Sequence, residues 1–160
     1  MSLRKTFEAL GVGALLIALL CLSSTGFAGD SVYGTVTAVR PADLVVTFDY
    51  GAGTYEVRLA GIDNPRDSEM AEQAAAFVSQ RLVRKNCRLR FENRTPDGQV
   101  IGRLFTDDPD YGITDIGVEL VRAGLVTRQG DYEGYKYGEL EEAEKQAKDG
   151  RNGIWKSAPK

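Results

Sequence analysis

The sequence predicts a mainly β chain with helices (α+β), built as a five-stranded OB-type β-barrel with three helices. Three observations carry this. Short strand-like runs are joined by turns rich in Gly and Asp, which is how hairpins and not crossovers are written. One helix-length run separates the third such run from the fourth, and two more helical runs follow the fifth. Hairpins between consecutive strands disfavour a doubly wound α/β sheet and favour a small closed barrel.

SVYGTVTAV (31–39) and DLVVTF (43–48) read as strands separated by RPA, and DYGAG (49–53) turns the chain into TYEVRLAGI (54–62). Asp49 and the glycines supply the turn chemistry. After DNP, SEMAEQAAAFVSQRLVRK (68–85) reads as a helix. Met70, Ala74, Phe77, Val78 and Leu82 fall on one stripe, and Ser68 and Glu72 suit its first turn. CRLRFEN (87–93) is a strand with Arg88 and Arg90 on one face and Leu89 and Phe91 on the other. TPDG (95–98) turns it into QVIGRLFTD (99–107). ITDIGVELVRAGL (113–125) fits a short helix ending at Gly124. YKYGELEEAEKQAKDG (135–150) is a charged helix closed by Gly150, its solvated face paired through Glu141–Lys145 and Glu144–Lys148. NGIWK (152–156) would dock Trp155. No repeat or low-complexity segment interrupts this order.

With 160 residues the chain suits one domain. Residues 1–28 read as a signal peptide and residues 29–160 as the domain. Arg4 and Lys5 form a basic start, GVGALLIALLCL (11–22) is apolar, and Gly26 and Ala28 are the small residues at −3 and −1. The apolar run is shorter than the ~20 residues that span a bilayer. Cleavage after Ala28 predicts a secreted or periplasmic monomer with no stable membrane partner; an uncleaved anchor is the alternative. Leu20 is bulky where a lipidation signal at Cys21 wants a small residue.

Losing Arg4, Lys5 and Glu8 removes a net +1 from −3 and leaves −4. An acidic domain is not built for tight, non-specific binding to polyanions, so any nucleic-acid role needs a local cationic patch. Cys87 would then be the last cysteine, which excludes an internal disulfide. Histidine is absent. That excludes Ser-His and Cys-His nucleophile pairs, His-ligated zinc and an imidazole base. Hydrolysis would fall to carboxylates, arginines, lysines or tyrosines, with an oxygen-liganded metal.

Against this background V57-R58-L59-A60-G61-I62-D63-N64-P65, G102-R103-L104, L120-V121-R122-A123-G124-L125 and E144-K145-Q146-A147-K148 leading to G153-I154-W155 stand out. In this order they resemble the staphylococcal nuclease-like (thermonuclease) family across nearly the whole of residues 29–160. The resemblance implies a calcium-dependent nuclease acting on phosphodiesters of DNA or RNA. Arg58 and Arg103 match the phosphate-binding arginines, whose forks meet the charge that grows on the equatorial oxygens. Asp63 matches a calcium-binding aspartate, and Asn64 takes the place of a threonine whose carbonyl touches the metal. Asp43 fills the other aspartate position with a one-residue shift.

The family's catalytic glutamate position holds Arg66. Val100 and Ile101 replace its lysine and tyrosine, and T127-R128-Q129-G130 lacks its stacking tyrosines, although Tyr132 and Tyr135 follow. Two readings of Arg66 stand. It adds a third cation for substrate phosphate while Asp67 or Glu69 serves as base, or it marks a catalytically inactive OB-type module that binds nucleic acid or protein. General-base assistance is worth ~10²–10⁴, so arginine and metal stabilisation would still support slow hydrolysis. The bland readings are outward strand arginines for Arg58 and Arg103 and a turn residue for Asp63. The basic run Arg81, Arg84, Lys85, Arg88, Arg90 and Arg94 reads as a solvated surface.

Overall fold

Alternation in residues 31–59 folds into a meander of three antiparallel strands, β1 (Ser31–Arg40), β2 (Val45–Asp49) and β3 (Thr54–Leu59). These are the elements of a computed structural model, which describes residues 30–65, 67–108, 112–130, 132, 134 and 138–156. Residues 1–28, expected as a signal peptide, Arg66 and Tyr135 lie outside the described residues. β4 (Asn86–Arg94) and β5 (Val100–Asp108) form the second hairpin, and a short β6 (Gly112–Asp115) pairs with β5.

β1 serves both halves. Its residues from Thr35 onward pair with β2, while Ser31–Thr35 pair with β4. Closure comes from a parallel contact between β3 and β5, with Val57 opposite Val100, Arg58 opposite Ile101 and Leu59 opposite Gly102. Ala60 N–H extends it by donating to Gly102 O at 2.9 Å. Strands β1 to β5 thus make the expected closed barrel, and alternation decides its two faces. Val36, Val46, Phe48, Val57, Leu89 and Leu104 fill the interior, while Arg58, Ile101 and Arg103 point outward.

Helix α1 (Ser68–Leu82) covers the barrel with Ala71, Ala74, Ala75, Val78 and Leu82. The buried stripe is therefore centred one position from the predicted one, leaving Met70 and Phe77 half-buried. Asp67 caps the helix by accepting from Met70 N–H at 2.8 Å. The helix stops short of residue 85 because Val83 is extended and Arg84 takes φ 64°.

The predicted helix over 113–125 divides. Its first residues join β6, and α2 spans only Ile116–Arg122. Asp115 sets that boundary by accepting from Gly117 N–H at 2.8 Å. Gly124, at φ 68°, closes the helix: Leu125 N–H reaches Leu120 O and Gly124 N–H reaches Val121 O. A Cβ here would lie 2.3 Å from Asn152 O, so conformation and space both require glycine. Helix α3 (Glu139–Asp149) packs on α2 through Leu140, Ala143 and Ala147 and is followed by a 3-10 turn, Gly153–Trp155. Lys148 pairs with Glu144 at 2.8 Å as expected, whereas Glu141 pairs with Arg128. No helix among the described residues is long and apolar enough to cross a membrane.

Candidate active site

Beside the β3–β5 closure lies a cavity of about 690 Å³. β3 contributes Arg58, the following turn contributes Asp63 and Asn64, β4 contributes Glu92 and Asn93, β5 contributes Ile101, and the segment after α2 contributes Gln129 and Tyr132. The turn is strapped in place: Asp63 N–H donates to Thr127 O at 2.9 Å and Gln129 N–H to Gly61 O at 2.8 Å. Gly61 takes φ 73°, which ends the strand predicted to run to residue 62 and swings Asp63 to the cavity wall.

Arg58 is held from one side. Its Nε donates to Gln99 Oε1 at 2.6 Å, and Gln99 Nε2 donates to Glu56 at 3.1 Å. The side chain remains 38% exposed, with one terminal nitrogen 3.9 Å from Asp43. A fork anchored at Nε, with one terminal nitrogen only loosely paired to Asp43, is suited to an oxyanion.

The structure does not bring the other arginine there. Arg103 shares the outward face of β5, but Nε donates to Asp115 at 2.7 Å and a terminal nitrogen to Glu139 at 3.4 Å. Its side chain is buried, and it does not line the cavity. Asp115 was invisible as a partner in the sequence because its position depends on where α2 is capped.

Asp43 also departs from expectation. Arg40 ends β1, the turn returns three residues later, and Arg40 takes both Asp43 oxygens, at 2.7 and 2.9 Å. That hydrogen-bonded pair holds the Asp43 carboxyl below its ordinary range. Leu44, at φ 52°, faces the cavity in place of Asp43. Calcium takes six to eight oxygen ligands, several of them from carboxylates. Exposed Asp63 and Asn64 suit such a cation, the Asp63 carboxylate accepting the Thr127 hydroxyl at 3.1 Å. Asp43, as held by Arg40, does not. Among the described residues, no three acidic or cysteine side chains converge as a metal cage.

The proposed substitute bases lie elsewhere. Asp67 is occupied as the α1 cap, and Glu69 accepts from Gln73 at 3.1 Å; neither lines the Arg58 cavity. Sequence reasoning missed Glu92, Gln99 and, as a cavity residue, Tyr132. For Glu92 the signal was present: it is the next outward position after Arg88 and Arg90. Burial pushes the Tyr132 phenol up to about 12, with the nearby Glu92 charge adding to the effect and Arg103 and Arg90 opposing it. The basic surface is partly stacked, with Arg81 over Phe77 and Arg88 over Phe105 at 4.9 and 4.7 Å from the ring centres.

A sequence model described as staphylococcal nuclease homologue matches residues 56–157. A protein named probable endonuclease LCL3 from Leptosphaeria maculans is 26% identical over 128 residues, covering 73% of this chain and 43% of the relative. Another of that name, from Verticillium alfalfae, is 27% identical over 113 residues, covering 64% and 39%. The chain thus spans about two-fifths of the length of the curated relatives it matches.

Proposed function

Because the chain belongs to the family of staphylococcal nuclease homologues, we propose that its cavity hydrolyses phosphodiesters of DNA or RNA. The carrying observation is the half-exposed Arg58 fork on the cavity wall, fixed at Nε by Gln99. Its terminal nitrogens bind the scissile phosphate and meet the charge that develops on its oxygens in the transition state. Arg103 acts behind it, tying β5 to α2 so that the strand carrying Ile101 keeps its place. The names of the two relatives point to the same reaction class.

Calcium belongs to this proposal. Asp63 and the Asn64 carbonyl would hold it, and it would polarise the phosphate. Export belongs to it as well: residues 1–28 direct the chain out and are removed after Ala28. A mature N-terminus at Gly29 supports this, and a membrane-held chain beginning at Met1 contradicts it.

The second reading, a binding module without catalysis, draws on Arg66 in place of the family's glutamate and on the engagement of Asp43 by Arg40. One experiment separates the two. Nucleotide release from single-stranded DNA is measured with calcium and with a chelator, alongside binding of a labelled oligonucleotide. Calcium-dependent release supports the enzyme; binding without release supports the module.

A further inference from the structure

We infer that Glu92 is the carboxylate base of this cavity, taking the proton from the water that attacks a phosphodiester held by Arg58. The inference rests on the phosphodiesterase reading above and supplies what that reading lacks, a base in place of the glutamate replaced by Arg66.

Asp63 and Glu92 are the acidic side chains among the described residues lining the cavity. Their surroundings differ. Asp63 is exposed at a turn, accepts the Thr127 hydroxyl and faces solvent, as suits a cation ligand. Glu92 is 17% exposed and forms an ion pair with Arg90 Nε at 3.5 Å, while its buried Oε1 accepts no hydrogen bond among the described residues. A buried acceptor left without a hydrogen bond is costly. A water held in the cavity would satisfy it and would be the water a base acts upon.

The backbone shows how Glu92 reaches this position. Phe91 pairs with Gly102 and Asn93 with Ile101, so Glu92 is the extra residue of a β-bulge. Bulges re-aim side chains and recur beside active sites. Gly102 permits the close strand approach, since a Cβ there would lie 2.6 Å from Arg90 O. Arg58 lies opposite Ile101 on the other flank of β5. With strands about 4.8 Å apart, the Arg58 and Glu92 backbones flank Ile101 at roughly 10 Å. That separation leaves room for a phosphate against the arginine and a water against the carboxylate.

The step balances without a further reactant. The water oxygen forms its bond to phosphorus as its proton passes to the Glu92 carboxylate. The bond from phosphorus to the leaving ester oxygen breaks, and that oxygen takes a proton from solvent. Glu92 then returns its proton to solvent.

The test compares Glu92→Gln and Glu92→Asp with wild type on single-stranded DNA, with melting temperatures measured for each. Glu92→Gln should lower kcat by ~10²–10⁴, leave KM nearly unchanged and remove the acidic limb of the pH–kcat profile. Glu92→Asp keeps a carboxylate but draws it back, and should fall between the two. If a folded Glu92→Gln retains the wild-type kcat and pH profile, the inference is overturned while the phosphodiesterase reading stands. Should Glu92→Gln fail to fold, an unchanged kcat in Glu92→Asp overturns it equally. No cleavage by wild type overturns both.

Discussion

Arg103 and Asp115 form a 2.7 Å ion pair in which both side chains are more than nine-tenths buried. The same carboxylate accepts from Gly117 N–H, so one aspartate joins β5 to the start of α2.

Removing one partner takes from the other's buried charge its closest counter-ion, Glu139 standing at 3.4 Å from Arg103. Arg103→Ala and Asp115→Ala should each destabilise the fold by about 3–5 kcal/mol. The double variant should lose less than the two effects added, because neither charge is left behind. Urea unfolding of the four proteins checks this. Wild-type stability in Arg103→Ala would show the pair to be idle. Activity lost by Arg103→Ala therefore has to be compared at matched folded fractions.

Arg58→Ala should behave in the opposite way. Its side chain is half-exposed, so the midpoint of unfolding should hold nearly constant. Cleavage should fall by ~10²–10³, the range for loss of one preorganised donor to a developing oxyanion. A large stability loss with unchanged cleavage would make Arg58 a structural residue.

Arg66 and Glu92 should show compensation. Arg66→Glu places a carboxylate where the family carries its glutamate, and in the Glu92→Gln background it should restore part of the lost rate. The recovery is bounded by the general-base contribution, ~10²–10⁴. In the otherwise wild-type protein, with Glu92 in place, the gain should be smaller. Equal effects in both backgrounds would mean that the two positions do not share a role.

The Arg40–Asp43 pair competes with any cation for Asp43. Calcium should raise the melting temperature of Arg40→Ala more than that of wild type, and Asp63→Ala should abolish the rise in either, since a ligand selective for the folded state stabilises it by mass action. Identical shifts in wild type and Arg40→Ala would remove Asp43 from the ligand set. Because the folded Asp43 carboxyl is held below its ordinary range, the pair's small contribution is present above the unfolded value. It is lost as pH falls through the lower folded one.

Tyr132 gives an alkaline signature. Its phenol is raised from 10.0 to about 12, so between these values the unfolded chain has released a proton that the folded chain retains. Stability is untouched below pH 10.0 and falls as pH rises towards about 12. Tyr132→Phe should flatten that decline, and the difference in phenolate absorbance between the two proteins should titrate near the upper value. A difference centred at the ordinary tyrosine value would contradict the burial.

The barrel was legible because hairpin turns and alternation are local signals. That Arg58 and Asp63 line one cavity was legible for the same reason, the two being separated by one turn of chain. What was not legible depends on distant partners. Residues 113–115 carry a helical period, yet pairing with Phe105, Thr106 and Asp107 holds them in a strand. The match of Arg103 to a phosphate ligand carried no sign of Asp115, which a helix cap supplies, and that of Asp43 to a metal ligand no sign of the tight turn that folds it onto Arg40. Glu92 lay one step beyond the face already traced, and its bulge depends on register with Gly102 and Ile101.

The parallel contact of β3 with β5 has a kinetic meaning. Like the β1–β4 pairing it has no hairpin to lead it, and it joins Val57–Leu59 to Val100–Gly102 across the intervening helix and strand. Ring closure over such a span is paid for in chain entropy before any contact rewards it. Arg58 sits on one lip of that seam and Glu92 beyond the other, so a chain with the β1–β3 meander and the β4–β5 hairpin formed but this seam still open has its cavity in two halves. The cavity assembles only when the seam shuts, and onset of cleavage during refolding would time that single event.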